Sequence, residues 1–273
     1  MSAEIKRLGI IAGSHSLPLL LAKQARGMGV EHIVTVAFEG ETDPAIASLS
    51  NEVEWLKVGQ LSKLIKAFAG REIKHCVMAG QIAPKNLYQV RPDLRAMTML
   101  LRLKEKNAHS IFGGIADELA KDGVELIPAL HWLKPLMPPG GFHLGPTLTA
   151  EQREDIRFGF RIAKETSRLE IGQTVVVKDG AVLAVEAFEG TDKCLLRGGE
   201  LAGKEGGAVA VKVAKEQHDL RFDLPCIGPK TIESCAAAKI RALAFEAGKS
   251  LVLEQSTVEA LLHKYRITLT TAE

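Results

Sequence analysis

"RLGIIAGSHSLPLLLAKQARGMG", Arg7 to Gly29, decides how the first half of the chain is read. Leu8 to Ala12 is a short apolar run closed by Gly13, which predicts a strand. "SLPLLLAKQARGMG" then predicts a helix, with Ser16 placed as its N-cap and Pro18 in its first turn. The same alternation continues outward. "HIVTVAF", "VEWLKVG" and "KHCVMAGQI" read as strands, and "QLSKLIKAFAG" reads as a helix stopped by Gly70. Two further helices are expected, from about Asp93 to Lys106 and from Ser110 to Lys121, before "VELIPA" closes the series. Strands that alternate with helices of this length imply a mostly parallel sheet with right-handed crossovers. The expected class is α/β, with a Rossmann-like first domain over residues 1–134.

The pattern breaks at "PLMPPGGFHLGPTLT", Pro135 to Thr149, which holds four prolines and three glycines and is expected as a linker over 135–149. A second, mixed α/β domain is expected over 150–273. It opens with the helix "AEQREDIRFGFRIAKETSRL", in which Ile156, Phe160 and Ala163 share a face. "TVVVKDGAVLAVEA" predicts a hairpin turning at Asp179-Gly180. Further strands are expected at "GAVAVKVA", "RALAFEA" and "SLVLE", and helices near Thr191 to Leu201, Lys230 to Ala238 and Ser256 to Lys264.

Composition excludes several classes. The net charge of +2 gives no general field for nucleic acid, and 25% charged residues is ordinary for a globular protein. Cys76, Cys194, Cys226 and Cys235 form no C-x-x-C pair and have no histidine spacing for zinc, so reduced thiols of a cytosolic protein are expected. Met1 to Arg7 leads straight into a strand, so no signal peptide is expected, and no apolar run is long enough to span a bilayer.

Ligands of open parallel sheets bind beyond the carboxyl ends of the strands. "IIAGSHSLP" and "MAGQI" hold that place, with Gly13, Ser14, His15, Gly80 and Gln81. A phosphate on the helix that follows Gly13 and a plain strand-to-helix turn are both compatible with the first. In "HDLRFDLPCIG", period two puts Asp219, Arg221 and Asp223 on one face of an expected strand, which Pro225 ends. A local Arg–Asp pair on a half-exposed strand fits the same spacing. In "AVEAFEGTD", Thr191 fits a helix cap and Asp192 its first turn. Glu186, set between Val185 and Ala187, is not explained in that way; if buried, its carboxylate needs an arginine, a metal or a proton. Carboxylates near glycine turns suit magnesium, and no G-x-S-x-G elbow supports a serine nucleophile.

At these residues the chain resembles a known family. "LGIIAGSHSLP", "MAGQI", "RLEIGQTVVVKDGAVLAVEAFEGTDKCLLR" and "RFDLPCIGPKTI" are similar, collinearly and over almost the whole length, to the UDP-2,3-diacylglucosamine pyrophosphatases of the LpxI type. The resemblance implies two α/β domains with the active site between them, and hydrolysis of UDP-2,3-diacylglucosamine to UMP and 2,3-diacylglucosamine 1-phosphate in lipid A synthesis. It implies a divalent metal, Mg2+ or Mn2+. The essential aspartate of the family falls on Asp223, as metal ligand or as the residue that positions water. Gly13, Ser14, Gly80 and Gln81 fall on the nucleotide side. Gln173, Glu186, Glu189, Gly190, Thr191, Asp192 and Thr231 fall in the substrate-binding neighbourhood. "KNAHSIFGGIADELA" departs, with Ala108 and His109 where the family often has an acidic pair. An acylated substrate further implies transient contact with the cytoplasmic face of the inner membrane, and a homodimer is compatible. Arg91, Arg95 and Arg102 recur at helical spacing, for phosphates or anionic lipid, or as a solvated face. A hydrolase of another nucleotide-sugar diphosphate and a non-catalytic nucleotide-binding protein are the competing readings.

Overall fold

The computed structural model describes residues 5–81, 92–104, 108–214, 219, 221 and 224–272, the side chains of Ala108 and His109 excepted. The chain divides into two compact units; Lys134 begins the second, while Asp219 and Arg221 group with the first.

The first unit holds strands β1 (Arg7–Ala12), β2 (His32–Phe38), β3 (Glu52–Leu56), β4 (His75–Ala79) and β5 (Glu125–Leu126). They form a sheet of order β3-β2-β1-β4-β5 in which every pairing is parallel. Helix α1 (Leu17–Gly27) buries Leu17, Leu21 and Ala25, and α2 (Leu61–Ala69) buries Leu61, Leu64, Ile65 and Phe68, the i, i+3/i+4 spacing of one apolar face. Each fully buried side chain of this size stabilises the fold by about 1.5–3 kcal/mol. Helices α3 (Leu94–Arg102) and α4 (Ala108–Lys121) follow, and a short helix α5 (Leu130–Leu133) ends the unit.

Arg95 is a structural residue rather than a free cation. Its Nε donates to Glu118 Oε2 at 2.7 Å and its Nη2 to Asp122 Oδ2 at 2.5 Å, which joins α3 to the end of α4. Lys121 and Arg95 together hold the Glu118 carboxyl below its usual range. Arg91 lies outside the described residues.

The second unit is built on a six-stranded sheet of order β6-β13-β11-β9-β7-β8. Its strands are β6 (His143–Leu144), β7 (Thr174–Lys178), β8 (Ala181–Val185), β9 (Val209–Lys212), β11 (Ala242–Glu246) and β13 (Thr268–Ala272). β9, β11 and β13 run parallel, whereas β6, β7 and β8 join as antiparallel strands, so the sheet is mixed. β10 (Cys226–Ile227) and β12 (Leu251–Val252) form a separate parallel pair. Helix α6 (Ala150–Arg168) packs Ile156 and Ala163 on Val175, Val177, Val209 and Val211. α7 (Thr191–Leu201), α8 (Pro229–Ala237) and α9 (Gln255–Tyr265) place Cys194, Leu195, Ile232, Cys235 and Leu262 in the core with Val176 and Ala210. Adjacent valines thus point to opposite layers, as the pleat requires. Asp179 and Gly180 both adopt positive φ, 51° and 73°, as expected for this hairpin. Asp155, from α6, accepts both of their backbone N–H groups at 2.9 and 2.7 Å and fixes the turn.

Two expectations change. The segment Pro135 to Thr149 is not only a connection: it supplies β6, which pairs with β13. Thr268 Oγ1 donates to Pro146 O at 2.6 Å and Thr270 Oγ1 to Phe142 O at 2.9 Å, so threonine hydroxyls tie this edge. The alternation in "HDLRFDLPCIG" is not a strand at Arg221. The Arg221 backbone N–H and Nε both donate to Asp219 Oδ1, at 3.1 and 2.9 Å, and the side-chain acceptor draws the chain into a turn. The strand begins after Pro225, whose carbonyl accepts from Leu251 N at 2.9 Å. Proline lacks only the donor, so it can stand at the entry of a strand. Among the described residues, no helix is long and apolar enough to cross a membrane.

Candidate functional site

In the first unit, β2 and β4 flank β1 on opposite sides, so the strand order reverses at the carboxyl end of β1. There the turns after β1 and β4 meet. Gly13 N–H donates to Ala79 O at 2.8 Å, and Ser14 donates to Gln81 O from both N and Oγ, at 2.7 and 2.8 Å. A Cβ on Gly13 would lie 2.5 Å from Gln81 O, and one on Gly80, whose φ is +86°, would lie 2.5 Å from Ser14 O. Both glycines are therefore required by the crossing of two backbones. His15 follows in the left-handed region, φ 67°, with its side chain exposed. A residue with a Cβ held there costs roughly 1–2 kcal/mol. Gly13, Ser14, Gly80 and Gln81 are thus brought together, with the start of α1 immediately beyond.

The second cluster lies at the end of β8. Glu186 is buried, only 7% exposed. Its backbone N–H donates to Thr174 O at 2.8 Å, continuing the ladder one residue past the strand. Its Oε1 accepts from Thr191 Oγ1 at 3.1 Å, and Thr174 Oγ1 lies 3.4 Å from the same hydroxyl. Its Oε2 is buried and has no partner among the described residues; neither has the side-chain Oε1 of Gln173, the residue that precedes β7. A buried carboxylate oxygen left in this way costs stability unless a donor or cation meets it. Gly172 makes the geometry possible, because a Cβ there would lie deep inside van der Waals contact with Glu186 O.

Thr191 is not the cap that its sequence position suggests. Gly190, φ 84°, is the N-cap of α7 and no side chain caps that terminus, which leaves the Thr191 hydroxyl for Glu186. The other two carboxylates of the segment diverge. Glu189 accepts from Arg197 Nη2 at 2.6 Å, and that guanidinium holds its carboxyl below the usual range. Asp192 accepts from Ser234 Oγ at 3.1 Å and pairs with Lys230 Nζ at 3.2 Å. The N-terminal turns of α7 and α8 are thereby joined, and α8, N-capped by Gly228, likewise has no side-chain cap. Thr231 sits in that same first turn of α8, half-buried. Arg197, Ser234, Lys230 and Thr174 are members of the cluster that motif reading does not single out. Their positions follow from packing, since the pairs are separated by 8 to 42 residues.

Two kinds of chemistry can be tested on these residues. Burial pushes the thiols of Cys76, Cys194 and Cys235 up to about 12, so none of these three is a thiolate nucleophile at neutral pH. Among the described residues, no group of three His, Cys, Asp or Glu side chains is gathered to hold a metal ion. Glu186, Glu189 and Asp192 each turn to a different partner, so this segment is not a metal cage. Asp223, the residue expected to carry the chemistry, lies outside the described residues.

Comparison with known proteins covers both units. The family description "LpxI N-terminal domain" matches residues 7–136, and "LpxI C-terminal domain" matches residues 139–270. The chain is 31% identical over 266 residues to the UDP-2,3-diacylglucosamine pyrophosphatase LpxI of Caulobacter vibrioides, covering 94% of this chain and 94% of that protein. Among solved structures, the biotin carboxylase domain of the Hydrogenobacter thermophilus 2-oxoglutarate carboxylase aligns with 75% of this chain and 42% of its own at 11% identity. Its TM-score of 0.29 is too low for any argument.

Proposed function

The chain belongs to the LpxI family, and on that premise we propose that it hydrolyses the diphosphate of UDP-2,3-diacylglucosamine to UMP and 2,3-diacylglucosamine 1-phosphate. The observation that carries the reading is the similarity to the Caulobacter enzyme across 94% of both chains, which takes in the clusters at Gly13 and at Glu186. The physical chemistry of the second cluster supports it. A diphosphate needs donors for its oxygens, and the uncapped first turns of α7 and α8 present backbone N–H groups and the positive ends of two helix dipoles. A sugar needs acceptors for its hydroxyl and amide hydrogens. The unpartnered Oε2 of Glu186 and Oε1 of Gln173 are such acceptors. In this reading Glu189, Gly190, Thr191, Asp192 and Thr231 shape that surface, and Gly13, Ser14, Gly80 and Gln81 line the nucleotide side.

We assign Asp223 to the reacting centre, as ligand of a divalent ion, Mg2+ or Mn2+, or as the residue that orients water. When bound, such an ion would offset charge on the diphosphate. The described carboxylates form no cage for it, so no step is derived through the ion. The substrate is acylated, and the protein would meet it at the cytoplasmic face of a membrane. The purified protein, with Mg2+ or Mn2+ added, is expected to release UMP from UDP-2,3-diacylglucosamine with kcat/KM at least tenfold above that for a UDP-sugar without acyl chains. Preference for the non-acylated sugar would replace this reading by another nucleotide-sugar hydrolase. Binding without turnover would favour a nucleotide-binding protein.

A further inference from the structure

Large apolar side chains are left uncovered beside Glu186. Phe188 is fully exposed (107%), Leu169 is 58% exposed and Ile171 is 48% exposed. All three lie within three residues of the contact between Gly172 and Glu186, so two separate segments bring them to one place. Neither segment is free to fold its apolar side chain inward. After α6, Glu170 turns left-handed, φ 57°, and Ile171 N–H donates to Thr166 O at 2.9 Å. On the other segment, Glu186 N–H is held by Thr174 O and the Glu189 carboxylate accepts from Ala187 N at 3.1 Å and from Arg197. Phe188 stands on this loop between fixed points and projects to solvent.

We propose that Phe188, with Ile171 and Leu169, is the surface through which this protein touches a phospholipid bilayer beside its site. The inference rests on the acylated substrate proposed above, which must be reached where its chains are buried. Three side chains of this size cover about 500 Å²; a specific interface between two protein copies needs about 1,000 Å² or more. A lipid surface needs no such matching area, and one protruding aromatic reaches the headgroup boundary. Arg168 and Lys193 are exposed on the same two segments, so cations border the apolar side chains, the composition of an interfacial contact.

Phe188→Ser removes the apolar ring at a position where nothing in the fold is packed on it. Thermal unfolding of this variant is expected to match the wild type. Co-sedimentation with phosphatidylethanolamine/phosphatidylglycerol vesicles, with no substrate present, is expected to weaken on the order of tenfold. KM for UDP-2,3-diacylglucosamine presented in those vesicles is expected to rise with kcat unchanged, while turnover of a water-soluble short-chain analogue stays at the wild-type level. Phe188→Trp is expected to keep vesicle binding and to show a blue shift of its added fluorescence when vesicles are present. Unchanged sedimentation of Phe188→Ser, or no blue shift, would overturn the inference. An equal loss on the soluble analogue would instead put Phe188 against the substrate, and a fall in solution mass would put it against a second copy; either result overturns it. Phe188-dependent vesicle binding by a protein that releases no UMP would sustain this inference and sink the proposed reaction.

Discussion

Replacing Asp223 by alanine is expected to lower kcat for UMP release by a factor on the order of 10³ or more, with KM changed far less. Hydrolysis of a diphosphate depends on charge offset and on a water placed for attack. A group that acts only in the transition state lowers kcat and kcat/KM together when it is removed. The loss should be the same whichever of its two assigned roles Asp223 performs. Asp223→Asn separates them. It keeps the size and one acceptor oxygen but removes the charge that a hard cation requires. If Asp223 holds the ion, the asparagine variant should regain part of its activity as Mg2+ or Mn2+ is raised to millimolar levels. If it orients water, added metal should not help. Steady-state kinetics with a matched unfolding curve make the comparison. Activity of Asp223→Ala within tenfold of the wild type would remove this residue from the mechanism.

Gly172→Ala is expected to cost about 2–3 kcal/mol of stability and to reduce activity at least tenfold. The added methyl would meet Glu186 O, which is backbone rather than the tip of a flexible side chain, so relief requires the end of β8 to shift. That shift carries the Glu186 carboxylate away from Thr191. Glycine is needed here for close approach, not for a left-handed backbone, because Gly172 is not among the positive-φ residues. Gly27→Ala is the control: nothing lies within 4 Å of its Cβ and the residue ends a helix, so stability should hold or rise by up to about 1 kcal/mol. Thermal unfolding of both variants reads the first effect, and kcat/KM the second. Equal stability of Gly172→Ala and the wild type would contradict the close packing of these two segments.

The parallel sheet of the first unit was legible because its strands are short apolar runs closed by Gly13, Gly59 or Gly80 and its helices repeat apolar residues at period 3.6. The hairpin at Asp179-Gly180 was legible from turn chemistry, although the Asp155 carboxylate that fixes it comes from 24 residues away. β13 was not, because Thr268, Thr270 and Thr271 read as polar while their hydroxyls bond back to the chain before α6. The Asp219–Arg221 pair misled for a local reason: a side-chain carboxylate satisfied the backbone of a turn at a spacing that also fits a pleat. At the site, Glu186 stood out as a carboxylate among apolar neighbours, and it is buried. Its hydroxyl partner was hidden, because a threonine at a helix start ordinarily caps the helix. Here Gly190 occupies that position. Arg197, Ser234 and Lys230 carry no motif and are brought in by the packing of α7 and α8.

The central claim is that the phosphorus–oxygen–phosphorus linkage is the bond broken. Mass spectrometry of the products formed by the purified wild-type protein from UDP-2,3-diacylglucosamine, with Mg2+ present, tests it most directly. The account predicts UMP and 2,3-diacylglucosamine 1-phosphate in equal amounts, and neither from Asp223→Ala. UDP with the free acylated sugar, or unchanged substrate under every divalent metal tried, would contradict it.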